Sequence, residues 1–163
     1  MSANVTRRSA RAILLDGPDL LLIRRTRPNQ PPYWVTIGGG VEPEDSTLED
    51  AVRREVLEEI GARITKVAQV LVLQDDVERG ITIQHMFLAE LEPVEFLEPT
   101  GEELLDPSRG GYELTRVPFN ATGLSSIDLK PARLAEYLIA NYDALLASLG
   151  CAVMNPTSPV ERR

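Results

Sequence analysis

The chain has 163 residues, long enough for one compact domain and too short for two comfortable ones. Its formal net charge of −8 argues against general binding to nucleic acid polymers or anionic membranes, because both need a basic footprint. The apolar runs fall far short of the ~20 residues of a membrane span, and the N-terminal stretch MSANVTRRSAR lacks the apolar core of a secretory signal. The single cysteine, Cys151, can form no internal disulfide, which favours a cytoplasmic location.

The first third of the chain predicts a β-hairpin followed by an irregular stretch. The apolar segments ARAILLD and LLLIRR are separated by Asp16-Gly17-Pro18-Asp19, which is a turn signal. The next stretch, TRPNQPP, contains three prolines and therefore cannot form regular structure. Residues 33–37 (YWVTI) then predict a strand that runs into a loop of three glycines.

A helix is predicted from Ser46 to Ile60, with clear signals at both ends. The sequence Ser46-Thr47-Leu48-Glu49 is a capping box in which the serine caps the first turn. Gly61 comes directly after the helix, where a left-handed C-cap is wanted.

The second half of the chain predicts a strand pair, a loop, a last strand and a long helix. The segments KVAQVLVLQDD and ITIQHMFLAELE predict strands that turn near Arg79-Gly80, residues 93–111 a long acidic loop, and residues 112–118 a strand. A helix is predicted over residues 128–149 because its apolar positions recur at steps of three and four. Residues 1–150 therefore predict a single α/β (α+β) domain with a mixed sheet between helices, and residues 151–163 a flexible tail.

The helix predicted over residues 46–60 has acidic side chains on or beside its apolar face. At about 100° per residue, Glu55 and Glu59 fall within roughly 20° of Leu48, and Glu58 lies next to Ala51. Unpaired charges in such positions would cost several kcal/mol or become protonated. A positive group must therefore meet them.

Two kinds of positive group fit these acids. Arginines of the same helix could pair with them, since Arg54 reaches Glu58 at i+4. A hard divalent cation, Mg²⁺ above all, takes oxygen ligands from clustered carboxylates and bridges to substrate phosphates. The three glycines before the helix favour the cation, because glycine lets the backbone come close to a ligand.

Residues 38–62 resemble the signature of the Nudix hydrolase family, which is G, five of anything, E, seven of anything, then R-E-U-x-E-E-x-G-U, where U is a bulky aliphatic residue. The run REVLEEIGA from Arg54 to Ala62 matches every fixed position, with only the final alanine smaller than expected. The first half departs from the pattern. A direct count puts Gly40 and Ser46 at the glycine and glutamate positions, whereas a loop longer by one or two residues puts Gly39 with Asp45, or Gly38 with Glu44, there. The longer loop is favoured, since Ser46 is the predicted helix cap.

The resemblance implies the Nudix fold and hydrolysis of a nucleoside diphosphate linked to another group, X, with Mg²⁺ or Mn²⁺ as cofactor. The expected partner is a small-molecule nucleotide, either a nucleoside triphosphate or a nucleotide sugar such as ADP-ribose. No nucleic acid polymer or membrane is expected, and a homodimer is allowed. The alternative is a non-catalytic Nudix-like module that binds nucleotide without turnover, for which the altered loop spacing is the only support.

The resemblance also implies roles for the residues that match the signature. Glu58 and Glu59 would be the main metal ligands, and Glu55 a further ligand or the base that takes the proton of the attacking water. Arg54 would hold a glutamate in position through a bidentate pair. The carbonyl of a loop glycine, Gly39 or Gly40, would complete the site, and an acid among residues 98–106 competes for the role of base.

Outside the signature, arginines near the lead-in strand are candidates for binding substrate phosphates. Arg24, Arg25 and Arg27 lie close together, and the strand period of two lets at most one or two of them face the site. A solvated strand end is the alternative. His85, the only histidine, is predicted to be a packed strand residue and not a ligand.

Overall fold

A computed structural model of the protein describes residues 4–93 and 110–154, with side chains described to residue 150. Within these ranges the elements in chain order are β1 (Val5–Asp16), β2 (Asp19–Thr26), β3 (Tyr33–Val35), β4 (Ile37–Gly40), α1 (Leu48–Ile60), β5 (Ile64–Val77), β6 (Gly80–Leu91), β7 (Gly111–Pro118), α2 (Ala121–Ser125) and α3 (Ala132–Met154). No helix in this part of the chain is long and apolar enough to cross a membrane.

The strands form one mixed sheet around the long strand β1. The central order is β3-β2-β1-β6-β5, with β4 paired to β1 and β7 paired to β2. The pairing of β1 with β6 is parallel, and the other pairings are antiparallel. Because β1 pairs with β2 near its end and with β4 nearer its start, the sheet brings the glycines of β4 beside β1.

Helices cover both faces of this sheet, as the alternation along β1 requires. Ala10, Ala12 and Leu14 pack in the cluster that includes the buried side of α1. Ile13 and Leu15 point to the opposite face and pack in the cluster formed with α2 and α3. The predicted fold, a mixed sheet sandwiched between helices, is therefore confirmed.

Several predicted elements are confirmed in the described residues. The hairpin of β1 and β2 turns between Asp16 and Asp19, and β5 and β6 turn between Val77 and Gly80. The last strand lies at residues 111–118. Residues 94–109, which include most of the predicted acidic loop and all of residues 98–106, lie outside the described residues.

The strand predicted over residues 33–37 is in fact two strands, and the glycine loop is wrong. Val35 pairs with Ile23 of β2, whereas Ile37 pairs with Ala12 of β1, so the chain passes from one neighbour to the other at Thr36. The three glycines then continue β4 as paired strand residues.

The predicted helix boundaries also need correction. Thr47, not Ser46, is the N-cap of α1, since its side-chain oxygen accepts from the backbone N–H of Asp50. The helix predicted from residue 128 begins at Ala132, because the residue before Pro131 is disfavoured in helical conformation. It continues to Met154, and residues 155–163 of the predicted tail lie outside the described residues.

Candidate active site

Helix α1 is fixed at both ends and along one side. Thr47 Oγ1 lies 3.0 Å from the backbone nitrogen of Asp50. Gly61 adopts the left-handed conformation, with φ of 67°, and its N–H donates to the carbonyl of Leu57 as a C-cap. Ala51, Val52, Val56 and Ile60 are buried against the sheet. These contacts set the rotation of the helix and therefore the direction of its acidic side chains.

The glycines of β4 allow strand and helix to approach closely. A Cβ on Gly38 would lie 2.4 Å from the carbonyl oxygen of Ala10, and its φ of +152° also disfavours a side chain. A Cβ on Gly39 would lie 2.6 Å from a carboxylate oxygen of Glu55. The N–H of Gly38 donates to Glu59 Oε2 at 3.2 Å. Glycine at these positions therefore lets two helix carboxylates sit directly against the strand.

Arg54 connects the loop, the strand and the helix, and all five of its N–H donors are engaged. Nε and Nη2 donate to the two carboxylate oxygens of Asp45, both at 2.9 Å. Nη2 also donates to the carbonyl of Gly40 at 3.0 Å. Nη1 donates to Glu55 at 2.9 Å and to Glu58 at 3.1 Å. The guanidinium thus holds three carboxylates and one backbone carbonyl together.

Asp45 is the loop acid that takes the bidentate pair with Arg54. Its side chain is only 5% exposed, and Oδ2 also accepts from the N–H of Glu42 at 2.8 Å. The hydrogen bonds from Arg54 hold the pKa of the Asp45 carboxyl below its usual range. Among Glu44, Asp45 and Ser46, the residues considered for the first acidic position of the signature, Asp45 is the one bound to Arg54.

A cavity of about 230 Å³ opens between β4, α1 and the neighbouring strands. It is charged on both sides, because carboxylates reach it from α1 and guanidiniums from β1 and β2. Its lining consists of Arg7, Arg11, Arg25, Val35, Gly38, Gly39, Gly40, Glu55, Glu59 and Tyr112.

Arg11 is held in this cavity by the turn between β3 and β4. Its Nε donates to Thr36 Oγ1 at 2.9 Å, and its Nη2 donates to the carbonyl of the same residue. Burial lowers the pKa of the Arg11 guanidinium, and the nearby carboxylates of Glu59 and Glu55 act in the opposite direction. Arg11 is therefore a fixed positive charge close to the helix acids.

Arg25 reaches the same cavity from β2 and is stacked on aromatic rings. Its guanidinium carbon lies 3.8 Å from the centre of the Tyr112 ring and 6.0 Å from that of Tyr33. Arg24 points to the other face of the strand, where it lies 5.6 Å from the centre of the Trp34 ring and does not line the cavity. Of the predicted pair of phosphate-binding arginines, the structure brings only Arg25 to the helix acids.

The predicted three-glutamate cluster is divided in the structure. Glu55 and Glu59 line the cavity, whereas the Glu58 side chain is 41% exposed and pairs with Arg54. No group of three His, Cys, Asp or Glu residues within residues 4–93 and 110–150 is arranged to hold a metal ion. Arginines from α1 and β1 are thus the positive groups that the structure places beside these acids.

Arg7, Arg11 and Tyr112 belong to the cavity but were not predicted from the sequence. Arg11 did leave a signal, since it interrupts the apolar run around SARAILL, where a buried strand position carries a charge. Arg7 and Tyr112 left none, because only the strand pairing brings them together. His85 is buried, with its ring between Arg8 and Gln69 at 3.0 and 2.9 Å, so it is a packed strand residue as predicted.

Comparisons with known proteins agree with this architecture. A family model described as NUDIX domain matches residues 5–115. The Escherichia coli ORF135 protein has 24% identity and a TM-score of 0.61, covering 87% of this chain and 91% of its own. A Nudix hydrolase from Nitrosomonas europaea has 18% identity and a TM-score of 0.59, covering 85% and 88%.

A third structure is the Nudix domain of Shewanella oneidensis NrtR complexed with ADP ribose. It has 16% identity and a TM-score of 0.63, covering 88% of this chain and 90% of its own. A search of curated proteins found no match. Because the family model spans more than half of the chain and the sheet-and-helix arrangement is shared, this protein belongs to the Nudix family.

Proposed function

We propose that this protein is a metal-dependent Nudix hydrolase that cleaves the pyrophosphate bond of a nucleoside diphosphate linked to another group, X. The observation that carries the proposal is the cavity in which Glu55 and Glu59 meet three arginines beside the glycine strand. Carboxylates suit a cation and guanidiniums suit phosphate oxygens, so this lining fits a phosphate–metal complex.

The donor set fits a hard divalent cation such as Mg²⁺ or Mn²⁺. Glu55 and Glu59 provide carboxylates in the cavity, and the glycine backbone lies against them. Glu58 would join as the third ligand when its carboxylate leaves Arg54. The Gly40 carbonyl already accepts from Arg54, which makes Gly39 the better candidate for a backbone ligand. When bound, the cation would neutralise phosphate oxygens and lower the pKa of a water molecule.

The protein's own groups would orient the substrate and take up a proton. Arg11 and Arg25 would bind phosphate oxygens, and Gly39 and Gly40 would let the phosphates approach the backbone. A water oxygen would attack one phosphorus, the bond from that phosphorus to the bridging oxygen would break, and Glu55 would accept the proton released by the water. Arg54 would position Glu55 and Glu58, with Asp45 in the place of the first signature glutamate.

The second candidate is a Nudix module that binds nucleotide without hydrolysing it. The pairing of Glu58 with Arg54, and the divided cluster in the described residues, favour this reading. The presence of Glu55 and Glu59 in one cavity favours the enzyme.

Replacing one cavity acid separates the two candidates. For the enzyme, Glu59→Gln should lower kcat by about 100-fold or more with Mg²⁺ present, because it removes a charge that the cation needs. Turnover is measured as product release from a panel of nucleoside triphosphates and nucleotide sugars. Glu49→Gln is the matched control, since Glu49 lies on the same helix but pairs with Arg53 at the surface and should change turnover little. Nucleotide binding without any product from the unmodified protein would favour the binding module.

A further inference from the structure

We propose that the cavity selects substrates with a terminal phosphate, such as nucleoside triphosphates, over nucleotide sugars with a bridging diphosphate. This inference rests on the proposed function and names its substrate class. Three properties of the cavity carry it: its volume, the balance of its charges and the way in which its arginines are held.

The volume of the cavity matches part of a nucleotide. At about 230 Å³ it is smaller than the ~300–1,000 Å³ of pockets that enclose a whole small-molecule ligand. Its walls are mostly charged side chains and glycine backbone, with Val35 and Tyr112 as the exceptions. The cavity therefore suits the phosphate chain, and the nucleoside would lie outside it.

The balance of charge favours a more anionic phosphate chain. Among the described residues, three guanidiniums and two carboxylates line the cavity, which leaves a positive excess before any cation binds. A divalent cation on Glu55 and Glu59 would increase that excess. Each phosphate of a bridging diphosphate has a single ionised oxygen, whereas a terminal phosphate carries about 1.5 to 2 negative charges at pH 7. A chain that ends in a phosphate thus neutralises the cavity more completely.

Two of the arginines are held before a substrate arrives. Arg11 is bound to Thr36 through two of its nitrogens, and Arg25 is stacked on Tyr112 at 3.8 Å. A guanidinium fork that is already oriented loses less side-chain freedom when it binds a phosphate. Because these forks come from β1 and β2 while the acids come from α1, phosphates in the cavity would meet arginines on one side and carboxylates on the other.

ATP and ADP-ribose provide a matched test, because both contain adenosine diphosphate and differ only in the group attached to its second phosphate. We expect kcat/KM at a fixed Mg²⁺ concentration to be at least about 10-fold higher for ATP. Arg25→Gln should reduce this ratio by about 10-fold, since a hydrogen bond to a charged group is lost on the terminal phosphate. Arg24→Gln is the matched control, because Arg24 lies on the same strand but over Trp34, and it should leave the ratio unchanged. Thermal melting of each variant shows whether its fold survives.

Calorimetric binding of the methylene-bridged analogues of both ligands keeps the test independent of turnover. Tighter binding of the ATP analogue, weakened by Arg25→Gln, supports the inference even if no product forms, in which case only the proposed hydrolysis fails. Turnover with equal or greater kcat/KM for ADP-ribose overturns this inference and leaves the proposed hydrolysis intact. If the protein binds neither analogue and hydrolyses neither ligand, both proposals are wrong.

Discussion

At the scale of single residues, Arg54 determines where the acids of the site lie. Its pKa is raised above the ordinary value, first by the hydrogen bonds to Asp45 and then by Glu55, so it stays charged at any working pH. The sequence predicted that Arg54 would pair with acids, including Glu58. It could not identify Asp45, because three counts of the loop are compatible with the signature and only the folded loop decides which acid meets the guanidinium.

Arg54→Lys should disable the site although the charge is kept. Lysine has three donors on one nitrogen and cannot replace five N–H groups spread over a planar fork. We expect turnover to fall by at least about 10-fold and the free energy of unfolding to fall by about 1–3 kcal/mol. Turnover assays and urea unfolding measure the two effects. Arg53→Lys, on the exposed neighbour that pairs with Glu49, should change stability by less than about 1 kcal/mol. Equal behaviour of the two variants would show that the fork of Arg54 does not organise the site.

At the scale of elements, strand β4 is the part that sequence reasoning placed least well. Glycines at residues 38–40 predicted close approach of a backbone, and that part is confirmed by Gly38 and Gly39. The partners were not predictable, because β4 pairs with β1 and packs on α1 through contacts that no local pattern encodes. By contrast, the β1–β2 hairpin and the end of α1 depend on local signals at residues 16–19 and Gly61, and both were predicted.

Alanine substitutions in β4 should separate a local effect on the site from an effect on the fold. In Gly39→Ala the new methyl group displaces the flexible Glu55 carboxylate, which lies 2.6 Å from the Cβ position, so turnover should fall by about 10-fold or more with little loss of stability. Gly40→Ala is the control, since its Cβ would meet Arg7 no closer than 3.7 Å. Turnover and melting temperature measure both. Full activity of Gly39→Ala would show that the position of Glu55 is not critical.

At the scale of the whole molecule, an acidic chain encloses a cavity lined with arginines. The net charge of −8 excluded a basic binding surface, yet it says nothing about local charge, and Arg7, Arg11 and Arg25 converge on one site. The sequence predicted the sandwich, the signature helix and Arg25. It could not predict Arg11 with Thr36, or Arg25 with Tyr112, because these contacts join residues far apart in the chain.

The dependence of turnover on divalent cation tests the central claim most directly. The measurement is the rate of product release from ATP, first in the presence of a chelator and then during titration with Mg²⁺ or Mn²⁺. Because Glu55 and Glu59 are proposed to act through a cation, we predict that chelation lowers the rate by about 100-fold or more and that either cation restores it. A rate that is unchanged by the chelator would contradict the account.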